Sequence, residues 1–212
     1  MTKTKVRPKA SLRGQGAGAV RPPYRFGDGD GSEPSSYDPA NAIRWGVRLF
    51  LVAVTMMFGA LAMVYLLRLP ARADFPFELP RISWLSTAVI LISSFSMQSA
   101  LNAARRGRLA GLRNGLVLTF ALGWLFLALQ LMSWFALKQS ITASIFSGLF
   151  YLFTGLHGLH LLGGLVFLAY LLYGAMRNIY RPDNLLPLEM GALYWHFLDA
   201  LWVALFTLMH VR

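Results

Sequence analysis

The sequence predicts an all-α integral membrane protein, a bundle of five transmembrane helices, and three observations carry that prediction. Of 212 residues, 56% are hydrophobic and only 14% charged, against about 25% charged in an ordinary soluble domain. The apolar residues gather into five runs, each of roughly twenty or more, which is enough to cross a bilayer core. The charges gather in the segments between those runs.

Residues 1–44 come first and are rich in Gly, Pro, Ser and charge. Such a segment cannot bury enough apolar surface to offset its ordering entropy, so it reads as a disordered cytoplasmic tail. The stretch Gly27-Asp28-Gly29-Asp30-Gly31 lacks the later acidic ligands of a calcium loop and reads as solvated linker. With polar residues ahead of the first apolar run, that run is expected to be a retained anchor and not a cleaved signal.

The membrane domain covers 45–212, with spans expected at about 47–67, 82–104, 114–137, 145–176 and 191–209. The fourth is longer than an upright helix needs, so it tilts or projects. Gly155, Gly158, Gly163 and Gly164 on span four, and Gly111, Gly115 and Gly123 around span three, mark faces where helices can approach closely.

Charge sets the expected orientation. Seven of the twenty basic residues lie between Lys3 and Arg25, and Arg105, Arg106, Arg108 and Arg113 fill the link between spans two and three without an acid. The link between spans one and two instead mixes Arg68, Arg72 and Arg81 with Asp74 and Glu78. Positive charge follows the inside, so the N-terminus is expected in the cytoplasm and the C-terminus in the periplasm. A basic tail on a membrane protein points to anionic lipid, and no nucleic-acid partner is expected.

The chain has no cysteine, which excludes disulfides, thiolate catalysis and Cys-based copper or iron–sulfur centres. Phosphate loops, nucleophile elbows and metalloprotease His pairs are also missing from the sequence. No inverted repeat of the transporter type is visible in five unequal spans.

Ionisable groups inside a span are costly and mark sites. His157 and His160 sit three apart on span four, and His196 and Asp199 three apart on span five, so each pair shares a helical face. A haem held between His residues would need matching depths. His196 lies ~8 Å from the inner end of its span and His160 nearer ~15 Å, which disfavours a bis-His haem. Asp199, at ~12 Å depth, is expected to pair with an imidazole of the neighbouring helix, His160 in particular. His157, His160, His196 and Asp199 are therefore expected as a structural polar cluster, with no catalytic, cofactor-binding or metal-binding residue on the chain.

The segment Thr154-Gly155-Leu156-His157-Gly158-Leu159-His160 resembles the T-G-x-H-G-x-H signature of subunit III of the haem-copper respiratory oxidases. Tyr194-Trp195-His196-Phe197-Leu198-Asp199-Ala200-Leu201-Trp202 is similar to that family's Y-W-H-F-x-D-x-x-W. The resemblance covers residues 45–212 and is most specific over 151–202. It implies a five-helix bacterial member in the plasma membrane, an accessory subunit without haem or copper of its own. Such a subunit packs on subunits I and II, which carry those cofactors, within a complex that can belong to a larger respiratory assembly. The family also implies phospholipid in a cleft between helix groups, support of proton uptake, and durability of the active site. Lipid contacts are expected at Arg105, Arg106, Arg108, Arg113, Trp195 and Trp202.

Two departures stand out. Val54-Thr55-Met56-Met57-Phe58 holds no acid where the family has a buried Glu, and Gln130-Leu131-Met132-Ser133-Trp134 has Ser in place of a second Glu. Those changes leave a proton role without its usual carboxylates and leave the packing and lipid roles untouched. Cytochrome c oxidase is the expected complex. A quinol oxidase, a nitric-oxide-reductase accessory protein and a stand-alone haem-b anchor are the alternatives.

Overall fold

The computed structural model describes residues 39–68, 82–138, 145–180 and 184–210. The tail up to residue 38 and the mixed-charge link between the first two spans, expectations included, lie outside the described residues. Five helices make up the rest: α1 Pro39–Arg68, α2 Ile82–Arg105, α3 Leu109–Lys138, α4 Ile145–Met176 and α5 Leu186–His210. Each is long and apolar enough to cross a membrane, and no strand occurs among the described residues. Helices are the form such runs must take, because a lipid-exposed backbone has to satisfy its own hydrogen bonds.

Three helices start earlier than their apolar runs suggest. Residues 39–44, expected in the tail, form the first turns of α1, and Pro39 suits a first helical turn because no N–H is needed there. α3 begins at Leu109, directly after a turn in which Gly107 takes φ 67° and Arg108 N–H donates to Ala103 O. α5 begins at Leu186, with Pro187 and Glu189 in its first turn, where an acid complements the helix dipole. Polar and Pro residues ended the apolar runs in the sequence, but they are tolerated in a first turn.

Packing is uneven. α2 and α3 form an intimate hairpin, α4 packs on α3 and α5, and α2 also packs on α5. Among the described helices, α1 packs against α4 and α5 and not against α2. The helix groups are therefore not the first two helices against the last three: α2 goes with α3, α4 and α5, and α1 lies against α4 and α5.

The glycine set closest to another helix's backbone is Gly115 of α3, and not one of the four expected on α4. A Cβ on Gly115 would come 2.7 Å from the Ala100 Cβ, and one on Gly111 2.9 Å from the Ala103 Cβ. The Ser96 hydroxyl donates to Gly115 O at 3.0 Å across the same contact. Of the four expected glycines of α4, a Cβ at Gly155, Gly158 or Gly163 would meet nothing nearer than 3.6 Å, and Gly164 is tight, against Tyr194 at 3.1 Å; Gly174, near the end of the helix, is tight against Tyr180 at 2.7 Å.

The main core joins α2, α3, α4 and α5 through Ile90, Met97, Leu116, Phe126, Leu161, Trp195 and Trp202. A smaller cluster of Val54, Phe58, Tyr65, Phe153 and Leu205 attaches α1. In lipid these contacts gain van der Waals packing and not a hydrophobic driving force, so interhelical hydrogen bonds matter for which faces meet.

Candidate functional site

The least apolar of the five spans is α2, and its buried face is built from Ser83, Ser86, Ser93 and Ser96 among aliphatic residues. α5 lays its polar side chains on that helix. Trp195 Nε1–H donates to Ser93 Oγ at 3.0 Å, and Trp202 Nε1–H donates to Thr87 Oγ1 at 3.1 Å. Ser94 Oγ lies 2.6 Å from His196 Nδ1, and His196 Nε2 lies 3.2 Å from Gln98 Oε1. The Gln98 amide then donates to Asn102 Oδ1 at 3.3 Å. A neutral imidazole with its proton on Nε2 satisfies both bonds of His196, accepting from Ser94 and donating to Gln98. Three residues of the second motif, Trp195, His196 and Trp202, thus form a polar seam that fixes α5 against α2.

The four residues expected as one cluster do not come together as one. His196 belongs to the α2–α5 seam. His160 Nδ1 is 2.7 Å from Leu156 O of its own helix, and its ring meets Phe58 of α1 edge-on at 5.7 Å. Tyr194 O–H donates to His160 O at 2.8 Å, which ties α5 to α4. His157 points the other way, toward Phe126 of α3 and Trp202 of α5. The expected His160–Asp199 pair is not formed. Asp199 is buried, with the Ser94 hydroxyl as its polar neighbour and no hydrogen bond to either histidine of α4, and among the described residues neither ring nitrogen of His157 nor Ser133 Oγ has a hydrogen-bond partner. Depth matched His160 to Asp199 along the helix axes, but rotation about those axes, set by Tyr194, Trp195 and Trp202, turns the two groups apart.

Of the expected lipid contacts, Trp195 and Trp202 are each 1% exposed and face the bundle interior. Arg113 caps α4. Its Nε–H donates to Ala175 O at 3.1 Å, and its Nη2 to Met176 O at 3.2 Å and Asn178 Oδ1 at 2.8 Å. Asn178 takes φ 55° there, a left-handed helix end. Arg105 pairs with Glu189 at 3.1 Å, joining the end of α2 to the start of α5. Arg106 and Arg108 are exposed in the α2–α3 turn.

Two adjoining depressions at that end of the bundle had no signal in the sequence. An apolar groove of about 500 Å³ runs between α1, α4 and α5, lined by Val47, Phe50, Phe167, Met190 and Tyr194. A polar recess of about 390 Å³, with Arg44, Arg105, Asn184 and Glu189 on its walls, lies beside it and shares Leu186. Among the described residues no three His, Asp or Glu side chains gather in a way that could hold a metal ion.

Comparison with known proteins shows the family. The family described as cytochrome c oxidase subunit III matches residues 71–211, which include α2 to α5 and both motifs. Cytochrome c oxidase subunit 3 of Synechocystis sp. is 34% identical over 173 residues, covering 79% of this chain and 74% of that protein. The probable cytochrome c oxidase subunit 3 of Nocardia farcinica is 32% identical over 186 residues, covering 84% of this chain and 92% of that protein. That of Mycobacterium tuberculosis is 32% identical over 187 residues with the same two coverages, 84% and 92%. This multi-pass membrane chain belongs to the cytochrome c oxidase subunit III family, and it is an accessory subunit of a haem-copper oxidase.

Proposed function

We propose that the chain is the non-catalytic third subunit of a cytochrome c oxidase in a bacterial plasma membrane, held on subunits I and II, which carry the haems and copper. The observation that carries this reading is the family match over residues 71–211, within which both His-containing motifs fall. The names of the bacterial relatives favour cytochrome c over quinol as the electron donor. The donor set of the chain is consistent with an accessory role. It has four histidines and no cysteine, and His160, His196 and His210 are engaged in hydrogen bonds within the bundle. The N-terminus lies on the cytoplasmic side, by the arginines of the α2–α3 turn.

The same subunit holds phospholipid. An acyl chain fits the groove along Phe50, Phe167 and Met190, and an anionic headgroup fits the recess beside Arg44 and Arg105. Its effect on the enzyme is durability of the catalytic subunit during turnover, since the family's two buried glutamates are replaced here.

Purification through a tag on this chain tests the reading. A copper-bearing subunit II, a haem-bearing subunit I and cytochrome c oxidation should accompany it. A complex depleted of the chain should still transfer electrons from its first turnover and then inactivate faster. A depleted complex silent from the first turnover, or co-purification with a quinol oxidase, would overturn it.

A further inference from the structure

At hydrocarbon depth the bundle carries a polar surface that its own helices leave partly uncovered. Ser94, Gln98 and Asn102 recur every fourth residue on α2, His196 faces them from α5, and all four are partly exposed. Ser94 lies about 16 Å and Gln98 about 10 Å from the Arg105 end of α2, and His196 about 15 Å into α5. Snorkelling to a headgroup is out of reach for Ser94, Gln98 and His196 at that depth, while Asn102, about 4–5 Å from the Arg105 end, borders the headgroup region. Their mutual hydrogen bonds use only part of their capacity. Asn102 accepts from Gln98 through Oδ1, and its two amide N–H groups have no partner among the described residues.

Hydrogen-bonding surface of this kind does not face lipid without cost, and such residues turn toward protein or a wet cavity. The outward faces elsewhere suit lipid: Val52, Met56 and Met63 on α1, and Leu159, Val166 and Tyr170 on α4. Beside His196, α5 exposes Ala200, Ala204 and Thr207, which leaves room for another helix backbone to come close.

We propose that the α2–α5 seam is the face by which this chain docks on another subunit of the oxidase, against a transmembrane helix presenting a hydroxyl or amide to Gln98 and Asn102. The inference rests on the chain working inside an oxidase complex and adds which face is used. The seam residues set α5 on α2 with one side of their hydrogen-bonding groups and meet the partner helix with the other.

Photo-crosslinking of the intact complex tests it. A p-benzoylphenylalanine is introduced in place of Ser99 or Ala200, which border the seam and make no hydrogen bond through their side chains, or in place of Val166 or Met56 as controls. The first two positions should form adducts with a haem- or copper-bearing subunit at a yield several-fold above the controls. Adducts mainly from Val166 or Met56, or adducts between two copies of this chain, would overturn the proposal. If the bulky residue prevents assembly, the absence of native cysteine makes a gentler version available. Ser99→Cys and Ala200→Cys should react with a maleimide much less in the complex than in the detergent-separated chain, while Val166→Cys reacts alike in both. Equal reactivity in the two states at all three positions sinks the seam. A tagged chain that purifies with no oxidase subunit defeats the functional reading itself, whereas co-purification with crosslinks from the wrong faces defeats only the seam.

Discussion

Ser94 and His196 meet at 2.6 Å although 102 residues of sequence separate them. That contact gives the second motif of the family a physical task in this chain. The imidazole is clamped between a hydroxyl and an amide of α2, with Trp195 and Trp202 bonding to Ser93 and Thr87 of the same helix.

Breaking that clamp should loosen α5 from α2. Hydrogen bonds between membrane helices average about 0.6 kcal/mol and reach about 1.7. His196→Ala, which loses two bonds, should therefore destabilise the isolated bundle by about 1–2 kcal/mol on that scale. Ser94→Ala should cost less, and His196→Gln should recover part of the loss because an amide can still donate and accept. Equilibrium unfolding of the detergent-solubilised chain measures all three, and identical stabilities for His196→Ala and the parent would refute the clamp.

The α2–α3 hairpin makes a sharper test because backbone is involved. A Cβ on Gly115 would lie 2.7 Å from the Ala100 Cβ and 3.0 Å from its Cα. Gly115→Ala should cost about 1–3 kcal/mol, the usual range for overpacking. Adding Ala100→Gly should restore most of that loss, since it removes the nearest clashing atom. Additive effects in the double variant would mean that the two helices can slide apart freely.

Arg113 should resist replacement by lysine. Its guanidinium reaches two carbonyls at the end of α4 and the Asn178 side chain, a planar fork that an ammonium cannot reproduce. Arg113→Lys is expected to lose about 1 kcal/mol or more, as for other hydrogen bonds to charged groups. Hydrogen exchange at residues 174–178 should speed up while exchange in the middle of α4 does not. Unchanged exchange at that helix end would show that the cap carries no weight.

Headgroup binding is checked by native mass spectrometry of the complex. Arg44→Ala with Arg105→Ala should shed anionic phospholipid that the parent retains, and Arg106→Ala with Arg108→Ala should not. Both pairs remove the same charge, so a non-specific attraction, worth about 1 kcal/mol per basic residue at an anionic surface, would affect them equally. Equal loss of lipid would remove the case for a defined recess.

The sequence revealed the helices and the family readily, and the side-chain partners poorly. Apolar runs locate spans because length and composition are decided by the bilayer, which acts on each helix alone. Their ends shifted at Arg113, Pro187 and Glu189, which a first helical turn accepts and an apolar run does not. Rotation about each helix axis was the hidden variable. It depends on Trp195 reaching Ser93 and on Tyr194 reaching His160 O, and no single-helix pattern encodes those contacts. One signal was present in the sequence: Ser83, Ser86, Ser93 and Ser96 repeat at helical spacing and all end up buried. Serines are common enough in membrane helices to hide such a stripe.

His157 supplies the last prediction, and it runs against the habit of treating an intramembrane histidine as indispensable. The side chain is 1% exposed, and among the described residues neither of its ring nitrogens has a hydrogen-bond partner. It sits among aromatic rings, 6.0 Å from Phe126 and 5.3 Å from Trp202 between centroids. A buried polar group without a partner costs about 1–3 kcal/mol. Replacing it with an apolar ring of similar shape removes that cost and keeps the packing. His157→Phe should therefore leave the stability of the isolated bundle unchanged or raise it by about 1 kcal/mol. His157→Ala should lower it by removing ring contacts. His160→Phe should behave differently from His157→Phe, because it forfeits the bond to Leu156 O. If His157→Phe unfolds as readily as His157→Ala, the imidazole makes a polar contact within the bundle that its aromatic neighbours do not provide.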